Sequence, residues 1–127
     1  MHFGDEKNGT ARAILHPSVQ DIAWAAGFLE GEGCFGRTGG KCRGSGERIN
    51  VGQRSMEPLE RLLALFGGSI RWQHQVTRNL IKQDGLSPHM PYWGVYGSRA
   101  RGVMMTVYPF MSNRRKEAIR KALTAPN

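Results

Sequence analysis

The chain has 127 residues, 39% hydrophobic and 22% charged, with a formal net charge of +8 and a sequence pI near 10.2. That size allows one hydrophobic core and one domain, and the composition excludes disordered and fibrous classes. The basic excess calls for a polyanionic partner, with nucleic acid ahead of an acidic membrane surface.

No apolar run approaches the roughly 18 residues that a membrane-spanning helix needs, and Met1 to Arg12 lacks a basic lead followed by an apolar core. Neither a membrane span nor a signal peptide is expected. Cys34 and Cys42 are too few for a disulfide framework and match no common zinc-ligand spacing. Reduced thiols fit an intracellular protein that is not secreted, in the cytoplasm of a bacterium or phage-infected cell or in an organelle.

Residues 1–17 are rich in Gly, Asp, Asn and Lys and read as a flexible arm ending at Pro17, which leaves residues 18–127 as the single domain. Ser18, followed by Asp21, caps a helix predicted over about 19–31. Gly33 ends it. Cys34 to Arg37 then passes through a Gly-rich basic tip into Ile49, Val51 and Gln53, the pattern of a hairpin with a long exposed turn.

Ser55 and Pro58 open a second helix, with Leu59, Leu62, Leu63 and Phe66 at helical spacing until Gly67 and Gly68. Ile70, Trp72 and Tyr92 to Tyr96 have strand character on either side of a long connection. A helix from Ser98 to Pro109 and another from about Ser112 complete the chain. The order helix, hairpin, helix, hairpin, helices implies one twisted antiparallel sheet with helices on one face and the other face open.

The most informative segment is Ala25 to Gly33, AAGFLEGEG. Glu30 and Glu32 sit at a helix C-terminus, where backbone carbonyls already concentrate negative charge, so a positive group is expected there. A hard divalent cation such as Mg²⁺ suits carboxylate and carbonyl oxygens and keeps several waters. Ala23, Ala26, Gly27 and Gly31 read as a smooth stripe on which two copies of the helix can pack, bringing one Glu32 from each chain to a dyad. From periodicity and charge alone, the segment reads equally well as a core helix bearing surface glutamates.

Trp24 to Phe35, WAAGFLEGEGCF, resembles the LAGLIDADG motif of homing endonucleases, in a variant whose two acidic residues are both Glu. Val51 to Arg54 resembles the family's strand end that delivers a polar active-site side chain, with Gln53 at that position. Tyr108 to Met111, followed by Arg114, Arg115 and Lys116, resembles the family's proline turn and basic helix start, with Arg114 as the cation aimed at the cleavage site. The motif departs from the usual pattern in opening Ala25-Ala26 rather than Leu-Ala, and in carrying Arg where Lys is common.

The resemblance spans roughly residues 20 to 123 and implies an α+β, αββαββα half-saddle, antiparallel with helices on one face, present in two copies in a homodimer. It implies a site-specific double-strand DNA endonuclease acting on a long pseudo-palindromic site, with Mg²⁺ or another divalent cation such as Mn²⁺ and no further small-molecule cofactor. Glu32, Gln53 and Arg114 are then the expected catalytic residues, and Glu32 with the Gly31 carbonyl the metal ligands. Ala23, Ala26, Gly27 and Glu30 would line the dimer interface.

Arg37, Lys41, Arg43, Arg48, Arg71, Gln73, Gln75, Arg78, Arg115 and Lys116 are the candidates for DNA contact. His74 and His89 lack partners for metal binding or base catalysis and read as ordinary polar residues. Two other classes fit the basic charge. One is a catalytically inactive DNA- or RNA-binding protein of the same fold, a regulator or intron maturase. The other is a small RNA-binding protein using Trp72, Tyr92 and Trp93.

Overall fold

The computed structural model describes residues 8–11, 16–37, 46–73 and 90–124. In chain order these form β1 (Asn8–Ala11), α1 (Val19–Glu32), β2 (Cys34–Arg37), β3 (Glu47–Gly52), α2 (Met56–Phe66), β4 (Gly68–Gln73), β5 (Met90–Tyr96), α3 (Gly97–Val107), a 3-10 turn (Tyr108–Phe110) and α4 (Asn113–Thr124). The expected order of helix, hairpin, helix, hairpin and helices is present. Among the described residues, no helix is long and apolar enough to cross a membrane.

Helix boundaries follow local chemistry. Ser18 caps α1 through a reciprocal pair: the Asp21 N–H donates to Ser18 Oγ at 3.1 Å, and the Ser18 N–H donates to the Asp21 carboxylate at 3.0 Å. Helix α2 ends at Gly67, where φ is +74°, and Gly68 follows at +97°. At Gly68 a Cβ would stand 2.5 Å from the Gly94 carbonyl oxygen, so only glycine allows the chain to turn straight into β4.

With no basic residue in its own last turn, α2 has its free carbonyls met from elsewhere. Trp93 Nε1–H donates to the Gly67 carbonyl at 2.9 Å, and Arg99 donates to that of Phe66 at 3.0 Å.

The sheet order is β1-β4-β5-β3-β2, with every pair antiparallel. Alternation sorts its faces. Phe35, Ile49, Val51, Ile70, Trp93 and Val95 are buried beneath the helices with Leu29, Leu59, Leu62, Leu63, Met104 and Ile119. Arg48, Asn50, Arg71, Tyr92 and Tyr96 take the opposite parity, on the open face. This is the half-saddle arrangement expected from the sequence.

One edge differs from expectation. Residues 8–11, read from the sequence as part of a loose arm, pair with β4 from Asn8↔Arg71 to Ala11↔Gly68. An edge strand offers unpaired N–H and C=O groups to any extended segment, so this pairing needs no alternation of apolar residues to form.

Candidate active site and nucleic-acid interface

Glu30 and Glu32 are two residues apart on one helix, and a helix turns about 100° per residue, so their side chains leave on opposite sides. The Glu30 carboxylate accepts the backbone N–H of Ser112 at 2.9 Å and its hydroxyl at 2.8 Å. Those two bonds, with the charges of Arg115 and Arg114, hold its carboxyl below the usual glutamate range. Glu30 is therefore committed within the chain, at the start of α4. Glu32, the last residue of α1, is exposed.

The turn out of α1 is tight. Gly33 is buried, its N–H donates to the Leu29 carbonyl at 2.9 Å, and a Cβ there would stand 2.8 Å from that same oxygen. Strand β2 begins at once, in register Cys34↔Asn50 with β3. That register sets the end of α1 beside the end of β3, where Gln53 extends the ladder by donating its N–H to the Pro91 carbonyl at 3.2 Å.

Arg114 stands exposed in the first turn of α4, near enough to act electrostatically on Glu30. Of the three expected catalytic residues, Glu32 ends α1, Gln53 follows β3 and Arg114 lies in the first turn of α4. Among the described residues, no three of His, Cys, Asp and Glu are grouped to hold a metal ion within one chain.

The stripe on α1 is narrower than expected. Ala23, Gly27 and Gly31, four residues apart, are exposed, and a Cβ at Gly27 or Gly31 would meet nothing within 4 Å. Ala26 does not belong to it: at 2% exposure it is in the chain's own core. The helical advance puts Ala26 roughly 60° from Ala23, on the side already occupied by Ile22 and Leu29. Beside the stripe, Trp24 and Phe28 stack at 5.4 Å, and Arg61 lies 4.1 Å over the Trp24 ring while pairing with Asp21 at 3.7 Å.

Of the expected DNA-contact residues, Arg48 and Arg71 are on the open sheet face. Arg48 lies along the sheet, over Gly36, where a Cβ would stand 3.1 Å from its guanidinium. Arg71 is exposed opposite Tyr92. Glu47 is the one carboxylate among the described strand residues, and it faces the helices, where it pairs with Arg101 and Arg37. Among the described strand residues, the open face therefore carries positive charge without an acidic partner.

Two arginines are corrected. Arg37 shares the parity of Phe35 and points to the helices, donating to the Ala122 carbonyl at 2.8 Å. Arg115 donates from Nε to the Glu30 carbonyl at 2.9 Å and covers the Phe35 ring at 5.8 Å. Both side chains are bonded within the chain, on the helix side of the sheet. Lys116 rests over the Tyr108 ring at 5.4 Å. Gln73 pairs with Met90 through its backbone. Lys41, Arg43, His74, Gln75, Arg78 and His89 lie outside the described residues.

Trp93 is also corrected. At 0% exposure it offers no stacking surface, which removes one of the aromatics that favoured RNA binding. Open-face residues not singled out for DNA contact are Asn50, Tyr92 and Tyr96. The alternation of Ile49 with Val51, and of Trp93 with Val95, was the signal that placed them there. Burial pushes the Tyr92 phenol above its ordinary value, with Tyr96 adding to the rise, so it stays a neutral hydrogen-bond donor at neutral pH.

This architecture is the homing-endonuclease fold. The homing endonuclease I-CvuI, solved with the I-CreI target in the presence of Mg and with the DNA not cleaved, superposes with a TM-score of 0.56 at 19% identity. The match covers 80% of this chain and 64% of that one. The group I intron-encoded homing endonuclease I-CeuI, complexed with DNA, superposes with a TM-score of 0.55 at 18% identity, covering 84% of this chain and 54% of that one. The chain thus spans less than two thirds of the length of either neighbour. No family model matches the sequence, and neither does any curated protein.

Proposed function

We propose that the chain is a site-specific, divalent-metal-dependent double-strand DNA endonuclease, acting as a homodimer on a long pseudo-palindromic site. The observation that carries this reading is the exposed Glu32 carboxylate at the C-terminus of α1, together with Arg48 and Arg71 on an open sheet face that has no acid among the described strand residues. The likeness to two DNA-complexed homing endonucleases supports the choice of duplex DNA.

The donor set fits Mg²⁺ or Mn²⁺, which take a few oxygen ligands and keep the rest of their shell as water. Glu32 and the Gly31 carbonyl would hold the ion. A bound divalent cation polarises the scissile phosphate and lowers the pKa of an attacking water. Gln53 orients that water through its side-chain amide, and Arg114 stabilises the negative charge that builds on the phosphate. Two chains packed along Ala23, Gly27 and Gly31 bring their Glu32 residues together, so each chain supplies half of a shared centre.

Duplexes selected from a random pool by binding in Ca²⁺, then exposed to Mg²⁺, test the reading with Glu32→Gln as the control. Cutting by the wild type alone supports it. Binding without cutting makes the protein a catalytically silent DNA-binding module, and preference for RNA over duplex DNA overturns both.

A further inference from the structure

Two helix ends meet in this fold, and neither is satisfied from within its own helix. Helix α1 has no basic residue in its last turn, and its Glu30 carbonyl is met instead by Arg115 Nε of α4 at 2.9 Å. In return, the Glu30 carboxylate takes the Ser112 N–H and hydroxyl at the start of α4. The Ser112 oxygen is also shared with the Arg115 N–H at 3.3 Å. The carbonyl end of one helix and the amide end of the other are thereby joined head to tail, with charges that suit both ends.

We propose that Glu30, Ser112 and Arg115 form a positioning latch that fixes where Arg114 stands relative to Glu32. Arg114 lies between Ser112 and Arg115 in the chain, so its backbone is bounded on both sides by groups fastened to Glu30. Glu32 is two residues from Glu30 on the other side of the same helix. The latch thus fastens the acidic and cationic halves of the centre across more than 80 residues of sequence. The inference rests on the endonuclease reading and assigns these three residues a role in rate, apart from DNA affinity.

The test uses the full chain and a duplex that the wild type cuts. Single-turnover cleavage at saturating DNA in Mg²⁺ is compared with DNA affinity in Ca²⁺ and with thermal unfolding. Ser112→Ala is expected to slow cleavage roughly 10- to 100-fold, the scale of a misplacement near 1 Å. Affinity should stay within about twofold, and Ser112→Thr, which keeps the hydroxyl, should restore the rate.

In an Arg114→Ala background, Ser112→Ala should cost less than about twofold further, because the latch acts through Arg114. Glu30→Gln, with one acceptor oxygen in place of two, should show a smaller loss with the same non-additivity, and it serves if Ser112→Ala fails to fold. An unchanged rate, a loss that tracks affinity, or full additivity with Arg114→Ala overturns the latch alone. A wild type that cuts no DNA overturns the endonuclease reading and the latch with it.

Discussion

Glu30 and Glu32, two residues apart on one helix, do different work: Glu30 is bonded through both carboxylate oxygens to Ser112, and Glu32 is exposed at the helix end. Helical geometry forbids them from addressing one cation from the same chain. Replacing Glu32 by Gln should abolish cleavage and leave the melting temperature within about a degree, since an exposed carboxylate with no partner among the described residues contributes little to stability. Replacing Glu30 by Ala should lower the melting temperature. Calorimetry on both variants, beside a cleavage assay, checks the division.

Gly27 faces open space, and Ala26 is buried in the core. Gly27→Leu should therefore leave each chain folded and convert a dimer to monomers of 14.1 kDa in sedimentation velocity. Ala26→Leu should instead overpack the interior and destabilise the chain by about 1–3 kcal/mol in urea titration. A monomeric wild type, with and without DNA, contradicts the shared centre.

Trp93 combines full burial with a hydrogen bond to the Gly67 carbonyl at the end of α2. Trp93→Phe keeps an aromatic ring but leaves that carbonyl without its indole donor and the pocket underfilled. A loss of about 1–3 kcal/mol is expected from the missing partner alone, measured by denaturant unfolding.

The Ser18 backbone and hydroxyl donors hold the Asp21 carboxyl below its ordinary value of 3.8, with a smaller pull from Arg61. The folded-state value lies below the unfolded one, so the contribution is complete above 3.8 and is lost as pH falls through and below it. Asp21→Asn should lower stability at neutral pH and flatten the acid limb of a melting-temperature profile. An unchanged limb would mean that the cap contributes nothing in solution.

Arg48 lies on the open sheet face and Arg37 on the helix face. Replacing Arg48 by Gln should weaken DNA binding and reduce the slope of log affinity against log salt by about one for each phosphate contact removed. Arg37→Gln should leave that slope unchanged and lower stability through loss of its bond to Ala122. Fluorescence anisotropy across a salt series separates the two.

Much of the fold was legible in the sequence because its signals are local. The Ser18–Asp21 cap, the leucines of α2 at helical spacing and the Gly67-Gly68 stop each act within a few residues. The proposal that Glu32, Gln53 and Arg114 act together rests on the resemblance of three separated segments, since no spacing rule joins residues so far apart in the chain.

What escaped was settled by tertiary packing. An arginine on a strand looks alike whether it faces DNA or a helix, and only the register Arg37↔Glu47, with Ala122 beyond, turns Arg37 inward. Arg115 was hidden in the same way, because its partner is the backbone carbonyl of Glu30. The pairing of residues 8–11 left no trace because edge pairing is a backbone affair.

The most direct measurement is to digest a randomised duplex pool with the protein in Mg²⁺ and sequence the cut ends on both strands, beside Glu32→Gln and a Ca²⁺ control. Discrete ends placed symmetrically about the centre of a partly palindromic motif, and missing from both controls, are the predicted result. Ends that persist in Glu32→Gln, or no ends at all from a protein that binds the duplex, would contradict a cleavage centre built on Glu32.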